Sequence, residues 1–404
     1  MDMDMGGGHS MEHSSKLPDD AMFYHWPDQP MTWALRTHLL LCFVGYVVLL
    51  PIGLVMEMAR YKYQSIMQMA GALFALIGIL FGWVNGHLDN IYARFGWFML
   101  MLLVGQTAIS VCMDLGMLGR TRRIDMAYRG IGVAQFFFTY VAMVFGVTNY
   151  LGLCSRGHLG QCISHFARGS GLMMSSMLLL VGMRVCGPMM LNLRRPPEFY
   201  ASIVMMTVGL IGTFTEHNFF QSSASASWSH KDLQHTFIGV SWLAGGLLGV
   251  LMTWRNSPRD RTAIPSIIYI ATGISMIIHQ QDLKMASHTH FLFGAALVCL
   301  GISSICEVAL MASGFVQEKG EPESFQYMPV LFMCLSGIFL MGSNRDMILF
   351  LINSQIDIVT YALLLSSVCF VVILYFCMLS DLYLALRQLS PVVKYRRLAE
   401  DAAV

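Results

Sequence analysis

The chain has 404 residues, of which 56% are hydrophobic and only 12% are charged, and its formal net charge is +1. Soluble proteins carry about 25% charged residues, so this composition excludes an ordinary soluble domain. The net charge says nothing about a nucleic-acid partner, but no extended basic patch suggests one, and we expect none. We therefore expect an all-α, polytopic membrane protein whose surroundings are the lipid bilayer.

Residues 1–32 form a polar tail rich in glycine, methionine and histidine. This composition is typical of a disordered segment. The apolar run that follows the tail is too long for the core of a cleavable signal peptide. Thioether and imidazole groups together favour copper, so one hypothesis is that the tail captures copper.

Apolar runs long enough to cross a bilayer (about 20 residues each) recur along the whole chain. Each must form a helix, because unpaired backbone groups cannot face lipid. The tenth run is short, so nine or ten spans are the alternative to eleven. We predict spans at residues 33–56, 66–86, 96–117, 130–153, 170–193, 200–219, 235–254, 264–281, 289–313, 327–344 and 356–382.

The orientation follows from the basic residues. Most of the 25 lysines and arginines fall on the side of the spans opposite to the N-terminus. Cytoplasmic loops are enriched in these residues, which predicts an N-terminus outside the cytoplasm and a cytoplasmic C-terminus. The secretory pathway, the vacuole and the plasma membrane are all compatible with this topology.

With this topology, all 13 histidines lie on the extracytoplasmic side. His217, His235, His279 and His290 stand at the ends of four consecutive predicted helices. Consecutive helices tend to be neighbours, and neutral imidazole is the commonest metal ligand. These four histidines therefore predict a metal site, whereas we interpret His9, His13, His158, His165 and His230 as interfacial side chains.

Two carboxylates and two further histidines accompany this set. Glu216 precedes His217 and Asp282 follows His279 by three positions, so each could bind the metal directly or orient an imidazole. An interfacial role in contact with headgroup water is the alternative for both acids. His38 and His87 form a second candidate pair, for a cofactor.

Cys154 and Cys162 share a short loop on the extracytoplasmic side. Disulfides persist in oxidising compartments, so we predict a bond between them. Most of the other cysteines lie in or beside spans, where free cysteine behaves as a small hydrophobic residue.

Polar residues recur at fixed offsets between the later spans, in the stretches 214–217, 228–236, 245–249, 271–273, 279–281 and 293–294. These stretches resemble the fungal Ytp-like membrane proteins, and the resemblance covers roughly residues 200–385. Residues 33–115, through the stretches 49–53 and 96–97, resemble the N-terminal domain of that family, which is similar to transmembrane haem cytochromes of the ferric and ascorbate-linked reductase type. We therefore divide the chain into the tail, a cytochrome-like bundle at 33–199, a Ytp-like bundle at 200–385 and a basic cytoplasmic tail at 386–404.

The resemblance implies haem-ligand positions in the N-terminal bundle, with His38 and His87 as candidates. Related domains tend to carry a histidine just before the Gly-Trp pair of the third span, whereas this chain has Tyr92, Ala93, Arg94 and Phe95 there. The cytoplasmic side also carries no histidine. Electron transfer across the membrane through two bis-histidine haems is therefore disfavoured.

Three function hypotheses follow. The first is a metal-handling or redox protein with a copper, zinc or haem site at the extracytoplasmic face. The second is a permease for copper or another metal ion. The third is a zinc-dependent membrane hydrolase with Glu216 or Asp282 as the base. Whether the protein is an enzyme stays open, as does a purely structural role for the bundle.

The topology predicts that a protease added outside sealed cells removes residues 1–30. The tail is then extracytoplasmic, while the C-terminal tail is protected by the membrane. An epitope tag at each terminus reports the two outcomes by immunoblot. Protection of the N-terminal tag would reverse the topology and place the histidines in the cytoplasm.

Overall fold

The computed structural model describes residues 31–84, 91–119, 121–154, 159–186, 195–215, 230–255, 261–279, 281–313 and 322–389. Twelve helices and no strand occur within these residues. A short 3₁₀ turn, Ser324–Gln326, leads into the tenth helix. The helices are α1 (Trp33–Met58), α2 (Gln64–Val84), α3 (Ile91–Asp114), α4 (Arg122–Tyr150), α5 (Leu159–Val185), α6 (Pro197–Thr215), α7 (His230–Thr253), α8 (Ile264–Ile277), α9 (Lys284–Ala312), α10 (Tyr327–Met341), α11 (Arg345–Asn353) and α12 (Ile358–Leu389).

Each of the eleven predicted apolar runs contains a described helix, which confirms an all-α polytopic bundle. Ten segments in the described part of the chain are long and apolar enough to cross a membrane. The eighth helix, α8, is not among them: it has 14 residues, or about 21 Å at 1.5 Å per residue. Arg261, just before α8, pairs with Glu198 and Glu307, and His279, just after it, meets other histidines.

Helix α11 is the one described helix that the sequence analysis did not predict. Nine residues are too few to form a span, and the segment was assigned to a loop. Asn344 begins the helix, since its side-chain oxygen accepts a hydrogen bond from the backbone N–H of Met347 at 2.9 Å. Ile348 and Leu351 are buried against Leu283 and neighbouring residues at the start of α9. Helix α11 therefore covers the end of α9.

The packing of the helices does not follow the two bundles into which the sequence analysis divided the chain. Helices α6, α7, α8, α9 and α10 form successive neighbours, and α10 then packs against α5. Helix α12 packs against α5, α10 and α1. Helix α5, which the sequence division places in the first bundle, thus packs mainly against helices of the second.

Paired glycines allow the closest of these contacts. A Cβ atom on Gly273 of α8 would lie 2.6 Å from the carbonyl oxygen of Gly294 of α9. A Cβ atom on Gly169 of α5 would lie 2.5 Å from the carbonyl oxygen of Gly337 of α10. No side chain fits at either place, so glycine is required for the two backbones to meet.

Arginine–carboxylate pairs join helix ends that the predicted topology places on the cytoplasmic side. Each arginine meets a carboxylate from a different helix, so the charges do not lie isolated near the lipid. The orientation of these ends relative to the cell stays a prediction. The pairs are Arg129 with Glu57 (3.4 Å), Arg184 with Asp381, and Arg261 with both Glu198 (2.5 Å) and Glu307 (3.5 Å).

Helix α1 contains a π-helical segment that accepts a hydrogen bond from the last helix, α12. Residues Phe43–Leu49 are π-helical, and Pro51 has no N–H with which to donate an α-helical hydrogen bond to the carbonyl of Val47. The hydroxyl of Tyr375 in α12 donates to that carbonyl at 2.7 Å. Interhelical hydrogen bonds hold membrane helices together, so this bond stabilises the packing of α1 on α12.

We expect Tyr375→Phe to lower the free energy of unfolding by about 0.5–1.5 kcal/mol, the usual net value of one hydrogen bond. The unfolding midpoint of the detergent-purified protein measures the change. Tyr200→Phe is the control, because Tyr200 is exposed on α6. Equal midpoints for the two variants would mean that the Tyr375 hydroxyl contributes nothing to the packing.

Candidate histidine site

The structure brings together three of the four histidines that the sequence analysis grouped. The ring centroids of His235 and His279 are 5.7 Å apart, and those of His279 and His290 are 5.8 Å apart. His279 and His290 are buried, and His235 is half-buried. His217 and Glu216 lie outside the described residues, and Asp282 has an exposed side chain.

His165 extends this group and was missed. Its ring centroid is 6.0 Å from that of His290, and the residue is only 6% exposed. The earlier interpretation of His165 as an interfacial side chain is therefore wrong. A signal was present in the sequence, since His165 shares helical spacing with the buried residues Cys162, Gly169 and Met173 of α5.

The four residues form a row that we call the histidine row: His235, His279, His290 and His165. Two members have a defined proton position. Nδ1 of His165 lies 2.8 Å from the carbonyl oxygen of Gln161, and Nδ1 of His290 lies 2.8 Å from that of Ala286. A carbonyl oxygen only accepts, so each Nδ1 donates, and in the neutral ring the lone pair lies on Nε2.

Contacts one to two helical turns away from the histidine row fix the positions of the helices that carry it. Trp242 of α7 donates a hydrogen bond to the hydroxyl of Thr272 of α8 at 2.8 Å. These residues lie two turns from His235 and His279 respectively, so the bond fixes the register of that pair. The glycine contacts at Gly294 and Gly169 each lie about one turn from the histidine on the same helix.

The predicted disulfide between Cys154 and Cys162 is present, with the two Cα atoms 5.3 Å apart. It ties the loop before α5 to the first turn of that helix. Because His165 follows Cys162 by three residues, the disulfide also restrains the end of the helix that carries His165.

The histidine row is not a closed metal site in this arrangement. Within the described ranges, no three histidine, cysteine, aspartate or glutamate side chains are placed to hold one ion. The four rings lie in sequence, each next to one or two others. The arrangement provides buried imidazoles in contact, two of them with Nε2 as an acceptor.

His38, a candidate haem ligand, has both ring nitrogens engaged by protein. Nδ1 lies 2.8 Å from the carbonyl oxygen of Gly78, and Nε2 lies 2.8 Å from the hydroxyl of Tyr92. Tyr92 thus occupies the position next to His38 on α3. An axial haem ligand needs a nitrogen lone pair, so the residues around His38 do not fit haem as they stand. Its proposed partner His87 lies outside the described residues.

The fold and the histidine row together define a polytopic membrane protein with buried imidazoles at one set of helix ends. The family described as Protein YTP1-like, C-terminal matches residues 138–384. The chain therefore belongs to the YTP1-like family. A second family, described as a domain of unknown function (DUF2427), matches residues 19–116.

One relative is Protein YTP1 of Saccharomyces cerevisiae, which is 28% identical over 395 residues. That comparison covers 92% of this chain and 82% of the relative. No solved structure matches the chain. The YTP1-like match includes α5 and all later helices, and so contains the whole histidine row.

We expect the Cys154–Cys162 bond to be detectable as an alkylation mass shift on the peptides that contain these residues, seen only after reduction. The chemical reason is that a disulfide sulfur cannot be alkylated. Cys306, an exposed free cysteine, serves as the internal control, because its alkylation should not need reduction. Equal labelling of all three cysteines without reductant would contradict the disulfide.

Proposed function

We propose that this integral membrane protein handles metal by binding a copper or zinc ion at the histidine row. The observation that carries the proposal is the contact between four imidazoles, three of them buried and that of His235 half-buried. Hydrogen bonds from Nδ1 leave the Nε2 lone pair as the metal donor in His165 and His290. Hydrogen bonds from Nδ1 to a backbone carbonyl are the usual way in which a metal-binding histidine is oriented.

The spacing of the rings supports this proposal. Nitrogen ligands lie about 2.0–2.1 Å from zinc, so two imidazoles on one ion have ring centroids about 5–6.5 Å apart. The three neighbouring distances in the histidine row, 5.7, 5.8 and 6.0 Å, fall in this range. Each neighbouring pair of rings is therefore spaced so that the two imidazoles could hold one ion between them.

The chemistry of the donor atoms limits which metal ions the site can bind. Imidazole suits zinc and copper, whereas calcium and magnesium require oxygen ligands. The donor set therefore favours binding or passage of a transition metal. Hydrolysis would need Asp282 or Glu216 as a base; Asp282 is exposed, and Glu216 lies outside the described residues.

We expect His165→Ala and His290→Ala each to weaken metal retention at least about tenfold, since both remove an oriented donor. Elemental mass spectrometry of the detergent-purified protein, covering iron, copper and zinc together, measures the bound metal. His288→Ala is the matched control, because His288 lies on the same helix as His290 but is exposed.

Equal metal content in the two variants and the control would contradict the assignment of the site. Wild-type protein without stoichiometric copper or zinc after incubation with either ion would contradict the function itself. If the protein contains iron with a haem absorption band, and His165→Ala loses both, the bound group is haem at these residues rather than a single copper or zinc ion.

A further inference from the structure

A small cavity of about 10 Å³ lies between α1, α3 and α4, away from the histidine row. Tyr46 of α1, Gln106 of α3, and Gln135 and Thr139 of α4 supply its polar lining. Tyr46 belongs to the π-helical segment of α1. A cavity of this volume accommodates one water molecule.

Two side chains that line the cavity have polar atoms that no described protein atom satisfies. They are the hydroxyl of Tyr46 and both amide atoms of Gln135. Tyr46 is 7% exposed and Gln135 is 3% exposed, so bulk solvent does not reach them. Buried polar atoms without hydrogen bonds are rare because they lose hydration without replacement. These atoms therefore indicate a ligand that both donates and accepts.

We infer that this cavity is a binding site for one water molecule, held by the Tyr46 hydroxyl and the side-chain amide of Gln135. Water matches the volume, and it can accept from the amide Nε2 while it donates to Oε1 or to the hydroxyl oxygen. None of the residues that line the cavity carries a charge, which excludes an ion on grounds of desolvation. Gly132 keeps the space open, because a Cβ there would meet Leu54 at 2.7 Å.

The water would extend a polar region that begins at the arginine–carboxylate end of the same helices. Tyr128 donates to Gln68, and the amide of Gln68 donates to the carbonyl of Gly53. At the next position along α4, Arg129 meets Glu57. With the water in place, neutral polar contacts continue from that end toward the middle of α1 and α4. This site does not depend on the histidine row.

Radiolytic hydroxyl-radical labelling of the full-length protein in H₂¹⁸O tests the inference, because radicals formed from a bound water oxidise the side chains beside it. We expect ¹⁸O to be incorporated at Tyr46 in the wild type, and the labelling to fall several-fold in Gln135→Leu, which removes the amide without adding a radical-scavenging sulfur. Thr139→Val is the matched control. Thr139 lines the same cavity, but its hydroxyl already donates to the backbone carbonyl of Gln135 at 2.8 Å.

An unlabelled Tyr46 in the wild type would overturn the inference, and that measurement needs no variant to fold. Labelling that is unchanged in folded Gln135→Leu would also overturn it, since the water would not depend on the amide. A double-mutant cycle gives an independent readout. We expect Tyr46→Phe combined with Gln135→Leu to lower the unfolding midpoint by less than the sum of the single effects, and additive effects would count against a shared water.

Discussion

The close approach of helix backbones at two pairs of glycines is the constraint on which the arrangement of the histidine row depends. In lipid there is little hydrophobic drive for helices to associate, so packing and interhelical hydrogen bonds hold the bundle together. Gly273 meets Gly294, and Gly169 meets Gly337, each at backbone distance. His290 and His165 lie one turn from these contacts. A larger side chain at either pair would separate the helices and thereby separate the imidazoles.

The fold was largely predictable from the sequence, and the site only in part. Hydropathy located each apolar helix because the bilayer leaves no other way to satisfy the backbone. The convergence of His235, His279 and His290 followed from their places on consecutive helices. His165 lies on α5, which is distant in sequence from α9, and adjacency along the chain cannot predict such a contact. Helix α11 was missed because nine residues are too short for a hydropathy signal.

Ionisable residues and neutral polar residues occupy different parts of the membrane helices. The predicted spans carry few acids or bases, and these lie toward the ends of the spans. Neutral polar side chains such as Gln68, Gln106 and Gln135 are nevertheless buried within the spans. A hydropathy scan reads each as a weak interruption of an apolar run. Only the packing shows that they face one another inside the bundle rather than the lipid.

The hydrogen bond from Tyr375 to the carbonyl of Val47 has a consequence for the order of assembly during synthesis. Its two partners are 328 residues apart, so α1 is made and inserted long before α12 emerges from the ribosome. Throughout that interval the Val47 carbonyl lacks this donor. The first span therefore reaches its final environment only when the last span docks, and a chain truncated before α12 would leave the π-helical segment of α1 without this hydrogen bond.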